Sequence, residues 1–262
     1  MFYNHFNMKG HPFRENPPIE WLLHDQRIEE AGARMKFFQE QGSVALITGQ
    51  TGIGKSTLLR LFIHDLQPNR YTYLYLHLTL VNAKAFLRCI VTGLGETPKL
   101  GKDRLFMQIL DRVKKVEKQV LLIIDEAHLI DPETLTDLRL LISSAVDTYL
   151  PLKIILCGQD PLRKTLKRSA HADLENRISV KCILRTFTKD QTIVYIDSII
   201  RKAGGTDKIF DTEAKALIHD YTGGVPRIIN NIATACLINA AAKNLVKISE
   251  VLVNETMSEF NI

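Results

Sequence analysis

Gly49-Gln50-Thr51-Gly52-Ile53-Gly54-Lys55-Ser56 satisfies every fixed position of the pattern G-x-x-x-x-G-K-[ST]. Residues of these types at this spacing capture phosphate. The glycines let successive backbone N–H groups turn toward an anion, Lys55 adds a mobile positive charge, and the Ser56 hydroxyl suits a divalent cation. A second group complements the first. Val120-Leu121-Leu122-Ile123-Ile124 ends in Asp125-Glu126. Asp125 is the expected Mg²⁺ partner beside Ser56, and Glu126 is placed to orient or deprotonate an attacking water. The plainer readings are a ligand-free glycine turn, which needs neither Lys55 nor Ser56, and an acidic helix cap at Asp125. His128 completes Asp-Glu-Ala-His and is open to a surface, hinge or catalytic role. Together the two groups predict binding and hydrolysis of a nucleoside triphosphate with Mg²⁺. ATP is expected over GTP, because no guanine-reading Asn-Lys-x-Asp occurs.

Such residues need a strand, a turn and a helix to hold them. Val44-Ala45-Leu46-Ile47-Thr48 reads as a buried strand, and Thr57-Leu58-Leu59-Arg60-Leu61-Phe62-Ile63 has helical spacing of apolar residues. The turn between them lies at a helix N-terminus, where the dipole favours anions. Further strands are expected at Tyr71-Thr72-Tyr73-Leu74-Tyr75-Leu76, at the acid-tipped run, at Leu152-Lys153-Ile154-Ile155-Leu156-Cys157 and at Ile178-Ser179-Val180-Lys181-Cys182-Ile183. Helices are expected over about 25–41, 82–94, 102–116 and from Asp131-Pro132 onward, the last with Asp as N-cap and Pro at the first helical position. From Thr188 the pattern is helical throughout, at about 189–203, 211–221, 226–242 and 249–259. Pro12-Phe13 and Pro17-Pro18 mark an extended, irregular N-terminal arm. Its Pro12-Phe13 end suits either packing on an adenine or plain apolar contact. Alternating strands and helices predict a five-stranded parallel α/β sheet with helices on both faces, and the later helices predict a small C-terminal lid domain. The expected division is 1–42 for the arm and first helix, 43–187 for the nucleotide-binding domain and 188–262 for the lid.

Composition bounds the rest. At 262 residues with 45% hydrophobic content, the chain can bury a sizeable core. No apolar run approaches the ~20 residues of a membrane span, and the first residues lack the pattern of a signal peptide. Cys89, Cys157, Cys182 and Cys236 are far apart and read as reduced core thiols. The expectation is a cytoplasmic protein with no membrane partner. A net charge of +5 permits an acidic partner without requiring one.

These motifs resemble those of AAA+ ATPases of the ExeA-like group, which includes regulators encoded beside transposases, of the MuB, TniB, TnsC and IstB type. The resemblance covers nearly the whole chain. It runs from Phe6-Asn7-Met8-Lys9-Gly10-His11-Pro12-Phe13, with Asn7 where glycine is usual, through Ile47-Thr48-Gly49, Ile124-Asp125-Glu126-Ala127 and Leu156-Cys157-Gly158-Gln159, to Gly223-Gly224-Val225-Pro226-Arg227-Ile228-Ile229-Asn230. It implies that Gln159 is a sensor at the γ-phosphate or water, and that Arg227 reaches the phosphates from the lid. It also implies that Arg177 is an arginine finger acting in trans, with Arg168 in reserve. The plain alternative for Arg177 is a surface cation near a helix end.

Two uses of the ATP are implied. One is regulation of DNA transposition, with a homo-oligomeric ring or helical filament assembling on duplex DNA and recruiting a transposase. Lys84, Arg88, Lys99, Lys102 and Arg104 are its candidate phosphate contacts, and a solvated helical face is the alternative for them. No base-reading motif occurs, so DNA binding should tolerate any sequence. The other use is secretion or cell-envelope assembly. Members with that role generally carry a transmembrane segment and an envelope-binding region after the ATPase. None is seen before Ile262, so the expectation leans to DNA.

Overall fold

The computed structural model describes residues 1–23, 25–77, 81–144 and 151–259. The strands are β1 Val44–Thr48, β2 Tyr71–His77, β3 Gln119–Asp125, β4 Leu152–Gly158 and β5 Ile178–Ile183. The helices in chain order are α1 Phe2–His5, α2 Gln26–Gln41, α3 Lys55–His64, α4 Ala83–Gly93, α5 Lys102–Lys115 and α6 Pro132–Ser143. They continue with α7 Asp160–Leu166, α8 Ala172–Asn176, α9 Lys189–Lys202, α10 Thr212–Thr222, α11 Pro226–Ala242 and α12 Glu250–Glu259. The chain divides into two compact units. A sheet unit comprises Arg27–Thr51 and Leu58–Leu184, and a helical unit comprises Met1–Gln26, Gly52–Thr57 and Arg185–Ile262.

The sheet unit is built on five parallel strands in the order β2-β3-β4-β1-β5. Every residue of β1 and β4 is buried, and all of β3 after Gln119. Such unbroken apolar runs belong to strands covered on both faces. On one face Leu46, Leu122, Ile124, Ile154 and Leu156 form a core with helices α4, α5 and α6. α4 contributes Ala83, Phe86, Leu87, Ile90 and Val91, the i, i+3, i+4, i+7, i+8 stripe of a helix with one buried side. Asn82 starts α4 by accepting from the Ala85 N–H at 2.9 Å, and Asp131 starts α6 by accepting from the Thr134 N–H at 2.6 Å, as expected of Asp-Pro.

Alternation turns Ala45, Ile47, Leu121, Ile123 and Ile155 to the other face, where Met35 and Phe38 of α2 are fully buried. The charged exception in this interior is Lys153 of β4. Its Nζ donates to the backbone oxygens of Phe38 at 2.9 Å and Gly42 at 2.7 Å, and burial lowers its pKa. The Phe38 oxygen also accepts the Gly42 N–H at 2.9 Å, and the Gly42 oxygen lies just beyond the last turn of α2, where carbonyls lack helical partners. Lys153 therefore ends α2 from inside the sheet.

The helical unit has its own core, with Ile196, Ile200, Ile218, Ile229, Leu237 and Val253 at its centre. Thr188 and Gln191 form a reciprocal capping box at the start of α9, and Gly223 ends α10 with φ 57°. The N-terminal arm departs from the extended expectation at α1. Phe6, Met8 and Phe13 are buried in this core, and the Lys9 N–H donates to the Ala203 oxygen at 2.7 Å. Local sequence carried the prolines, whereas burial of three large apolar side chains decides where the arm lies. Phe13 thus makes the plain apolar contact.

Replacing Lys153 by Met keeps volume but removes the side-chain donor to two carbonyls at the end of α2, of which the Phe38 oxygen keeps the Gly42 N–H. Urea unfolding of Lys153→Met should show a loss of about 1–3 kcal/mol with an unchanged slope. Unchanged stability would mean that Lys153 does not cap α2.

Candidate functional site

Parallel strands bring their C-terminal ends to one edge. Ile124 is level with Leu156, and Thr48 with Gly158, so β3, β4 and β1 finish side by side. Asp125, Gln159 and the first residues of the glycine loop, Gly49, Gln50 and Thr51, leave the sheet there. In open α/β sheets this edge is where ligands bind.

Asp125 is only 4% exposed, yet both its oxygens are engaged. Oδ1 accepts from the Glu126 N–H at 2.9 Å, and Oδ2 accepts from the Tyr75 hydroxyl at 2.5 Å. His77, level with Asp125 on the neighbouring strand, has Nδ1 at 3.7 Å from Oδ2. Burial first, and then the hydrogen bond to Asp125, push the Tyr75 phenol well above its ordinary pKa, so it stays a donor. The carboxylate is thereby aimed at the sheet edge. Tyr75 was not among the expected site residues. Period two places Tyr71, Tyr73, Tyr75 and His77 on one face, but only the register against β3 sets Tyr75 beside Asp125.

Glu126 has φ 52° and ψ 33°, a left-handed conformation uncommon for a non-glycine residue. It turns the chain sharply off β3 into the short turn Ala127–Leu129. His128 Nδ1 lies 3.5 Å from Glu126 Oε2 and accepts from the Gln159 N–H at 3.4 Å. Gly158 permits this approach, since a Cβ there would lie 3.0 Å from the His128 nitrogen and 3.4 Å from that of Ala127. Gln159 stands at the N-cap of α7 without a side-chain capping bond, so its amide is uncommitted to the helix.

In the helical unit, the segment Gly52–Thr57 contains Ile53, which is 1% exposed, the buried Lys55 and the exposed Ser56. Helix α3 begins at Lys55, so the N–H groups of Lys55, Ser56 and Thr57 lie in a first turn with no intrahelical acceptors. Gly52 and Gly54 have φ of 77° and 110°. The Arg227 N–H donates to the Gly52 oxygen at 3.2 Å, and a Cβ on Gly52 would lie 2.7 Å from the Arg227 Cβ. Arg227, exposed at the start of α11, is therefore attached through its backbone to the glycine loop. Gly224 is packed as tightly, with no room for a Cβ against the Phe187 oxygen. Glycines with positive φ, a helix N-terminus and a lysine form a cradle that fits a triphosphate. The Ser56 hydroxyl and Asp125 carboxylate are oxygen donors of the kind Mg²⁺ takes beside phosphates.

Arg177 is exposed between α8 and β5, and Ile178 after it is level with Val44, the first residue of β1. It therefore sits at the N-terminal edge of the sheet. Six residues of β5 put it roughly 20 Å from the edge that carries Asp125, farther than an arginine side chain extends. Arg168, also exposed, precedes the short turn Ser169–His171. Lys84 and Arg88 are exposed one turn apart on α4, and Lys99 and Arg104 are exposed around the start of α5. Lys102 differs from them. Its Nζ lies 2.5 Å from Glu133 Oε1 and 2.9 Å from Asp137 Oδ2. Burial works to lower its pKa, but the two carboxylates outweigh it and raise the value. Lys102 thus neutralises acids of α6, which takes it out of the free cationic set.

Residues 39–166 match the family model described as an AAA domain. That stretch takes in the glycine loop, β3 and β4, and the chain has the P-loop AAA+ fold. The chain is 28% identical over 258 residues to general secretion pathway protein A of Aeromonas hydrophila, which covers 95% of this chain but only 46% of that protein. The chain therefore spans about half the length of this curated relative. Its fold is shared with several solved structures. The ORC2 protein of Aeropyrum pernix superposes with a TM-score of 0.72 at 20% identity, covering 95% of this chain and 71% of that one. Cdc6p of Pyrobaculum aerophilum gives 0.74 at 16% identity, covering 95% and 70%. The RuvB Holliday junction branch migration motor of Thermotoga maritima gives 0.63 at 18% identity, covering 96% and 74%. The expected P-loop AAA+ fold is the one found. Among the described residues no helix is long and apolar enough to cross a membrane, and the four cysteines are free, with three of them buried. Burial pushes the Cys182 and Cys236 thiols up to about 11.

Gly52→Ala would force an unfavourable φ and a clash with the Arg227 Cβ. ATP affinity, measured by fluorescent-nucleotide titration, should fall at least about tenfold while the circular dichroism spectrum is kept. Wild-type affinity would show that the loop tolerates a side chain at this position.

Proposed function

We propose that this chain is the ATP-hydrolysing module of an ExeA-like machine serving secretion or cell-envelope assembly. ATP binding builds a homo-oligomer, as a ring or a helical filament, and hydrolysis takes it apart. The carboxylate pair at the end of β3 carries the chemical part of this reading, with Asp125 buried and aimed and Glu126 beside it. The likeness to general secretion pathway protein A supports the biological part.

Phosphoryl transfer to water is mostly positioning and charge neutralisation. Lys55 and the amides of residues 52–57 hold the β- and γ-phosphates. The Ser56 hydroxyl and the Asp125 carboxylate are the protein's ligands for Mg²⁺, which when bound neutralises charge on the phosphate oxygens. Glu126 orients the attacking water and accepts its proton, and Gln159 contacts the same water or the γ-phosphate. Arg227 reaches the phosphates. Arg177, at the far edge of its own sheet, serves the nucleotide of a neighbouring copy. An arginine supplied this way makes hydrolysis depend on assembly.

A second reading keeps the chemistry and changes the partner. Exposed Lys84, Arg88, Lys99 and Arg104 supply cations for a phosphate backbone, and the ORC1 protein of Aeropyrum pernix, a structural relative with a TM-score of 0.65, was solved in complex with DNA. On this reading the chain regulates transposition, assembles on duplex DNA without sequence preference and recruits a transposase.

Glu126→Gln should bind ATP normally and turn it over at least about 100-fold more slowly in a phosphate-release assay. Normal turnover would remove Glu126 from the mechanism. The same ATP-loaded variant separates the two readings by co-sedimentation with random duplex DNA at two salt concentrations. No binding supports the secretion reading, whereas ATP-dependent, salt-sensitive binding replaces it with the DNA reading. For Arg177, mixing the inactive Arg177→Ala and Lys55→Ala chains should restore part of the hydrolysis, because each supplies what the other lacks. A mixture as inactive as its components would rule out action in trans.

A further inference from the structure

A cavity of about 680 Å³ opens at the N-terminal ends of β2 and β3, on the sheet edge opposite Asp125. Its walls come from residues 69–71, from Lys114 and residues 116–119, and from Pro151 before β4. Backbone bonds tie these segments together. The Gln119 N–H donates to the Arg70 oxygen at 2.9 Å, and the Val120 N–H to the Pro151 oxygen at 2.7 Å. The start of the sheet therefore fixes the shape of the cavity. Arg70, Lys114 and Lys118 line it, and Glu117 is the one acid among the described lining residues. All three cations are exposed, and none forms an ion pair with a described residue. The Arg70 guanidinium lies 5.8 Å from the centre of the Tyr71 ring, which keeps it against the wall. Lys114 has a plain role in the last turn of α5, where a cation offsets the helix dipole. Arg70 and Lys118 stand outside any helix and have no such role. Like charges gathered in one concavity raise the local potential for an anion.

We infer that this cavity receives an acidic segment of a partner protein. Its carboxylates meet Arg70, Lys114 and Lys118, and apolar side chains between them rest on Tyr71, Val116 and Pro151. The site lies at the far edge from the nucleotide residues, goes beyond the reading of those residues and does not depend on it. Carboxylates fit better than phosphate for two reasons. Phosphate sites use glycine turns and helix N-termini, and the described lining contains neither. Instead α5 ends at Lys115 with Val116 in the cavity wall, so the negative end of that helix dipole adjoins the site. A compact, multiply charged anion meets that field in full. Single carboxylates spaced along a chain can each take a cation and stay clear of the helix end. The apolar wall, with Tyr71 only 8% exposed, gives the residues between the acids a surface that a free anion would not use. The amides of Asn69 and Gln119 lie in the same lining and suit the backbone of a peptide.

The test is fluorescence polarisation of the full chain with a labelled peptide of about ten residues in which glutamate and leucine alternate, at about 50 mM and about 300 mM salt. The same peptide with glutamine for glutamate, and tripolyphosphate, are the comparison probes. The glutamate peptide should bind at least about tenfold more tightly than the glutamine peptide, and more weakly at the higher salt. Arg70→Glu combined with Lys118→Glu should lower its affinity at least about tenfold. Lys164→Glu combined with Lys167→Glu, at two exposed positions outside the cavity, should change it less than about twofold. An equal loss in both double variants shows attraction to a basic surface at large and overturns the proposal. Equal binding of the glutamine peptide overturns it too. Tripolyphosphate held more tightly than the peptide, and lost in the Arg70 and Lys118 variant, replaces the acidic segment with a phosphate ligand. If that variant does not fold, Arg70→Gln combined with Lys118→Gln decides, with an expected loss of about threefold; wild-type affinity there overturns the proposal.

Discussion

Burial of β1, β3 and β4 on both faces is the constraint on which the rest depends. A strand covered on each side has no use for polar side chains, so chemistry is pushed to the strand ends. Because the strands are parallel, their C-terminal ends share one edge. Asp125, Gln159 and the start of the glycine loop meet there without any of them needing a special local fold. The polar exceptions inside the sheet are spent on architecture. Lys153 reaches back to the end of α2, and Asp125 is buried only up to the oxygens that Tyr75 and its own neighbour's amide orient.

The second constraint is close backbone approach. At Gly158 a methyl group would stand 3.0 Å from the backbone nitrogen of His128, and at Gly52 one would stand 2.7 Å from the Arg227 Cβ at the start of α11. The missing side chains join a strand end to the carboxylate turn and the glycine loop to Arg227. In each case a residue is located by backbone contact, which is stiffer than a side-chain bond. Glu126 in its left-handed conformation belongs to the same economy, since it turns the chain sharply enough for His128 to face back toward it.

The sheet separates its charged features, with the Asp125-Glu126 turn at one edge and Arg177 at the other. The Asp125-Glu126 turn and Arg177 are separated by the length of β5, so one chain presents them on different edges. What the assembly acts upon is a separate matter. The AAA match and the shared fold bear on the nucleotide-binding core, and general secretion pathway protein A is about twice as long as this chain. Lys102 illustrates why the surface was the least legible region. In sequence it is one more lysine beside Lys99 and Arg104, and its partners on α6 lie about thirty positions away.

By itself the sequence determined the elements and the residues from which chemistry could be expected. Apolar runs located the strands to within a residue or two, Asp131-Pro132 started a helix, and the glycine loop stood between a strand and a helix as expected, because these signals are local and repeat with the period of the backbone. Tertiary structure alone decided which residues share a neighbourhood. The strand order set Gln159 beside the Asp125 turn, the register of β2 against β3 delivered Tyr75, and burial drew the N-terminal arm into the helical unit. Those outcomes depend on contacts between residues tens of positions apart, and a one-residue slip in register would have turned Tyr75 to the opposite face. Residue type and spacing can state what an atom is able to do, but only packing brings the other atom to it.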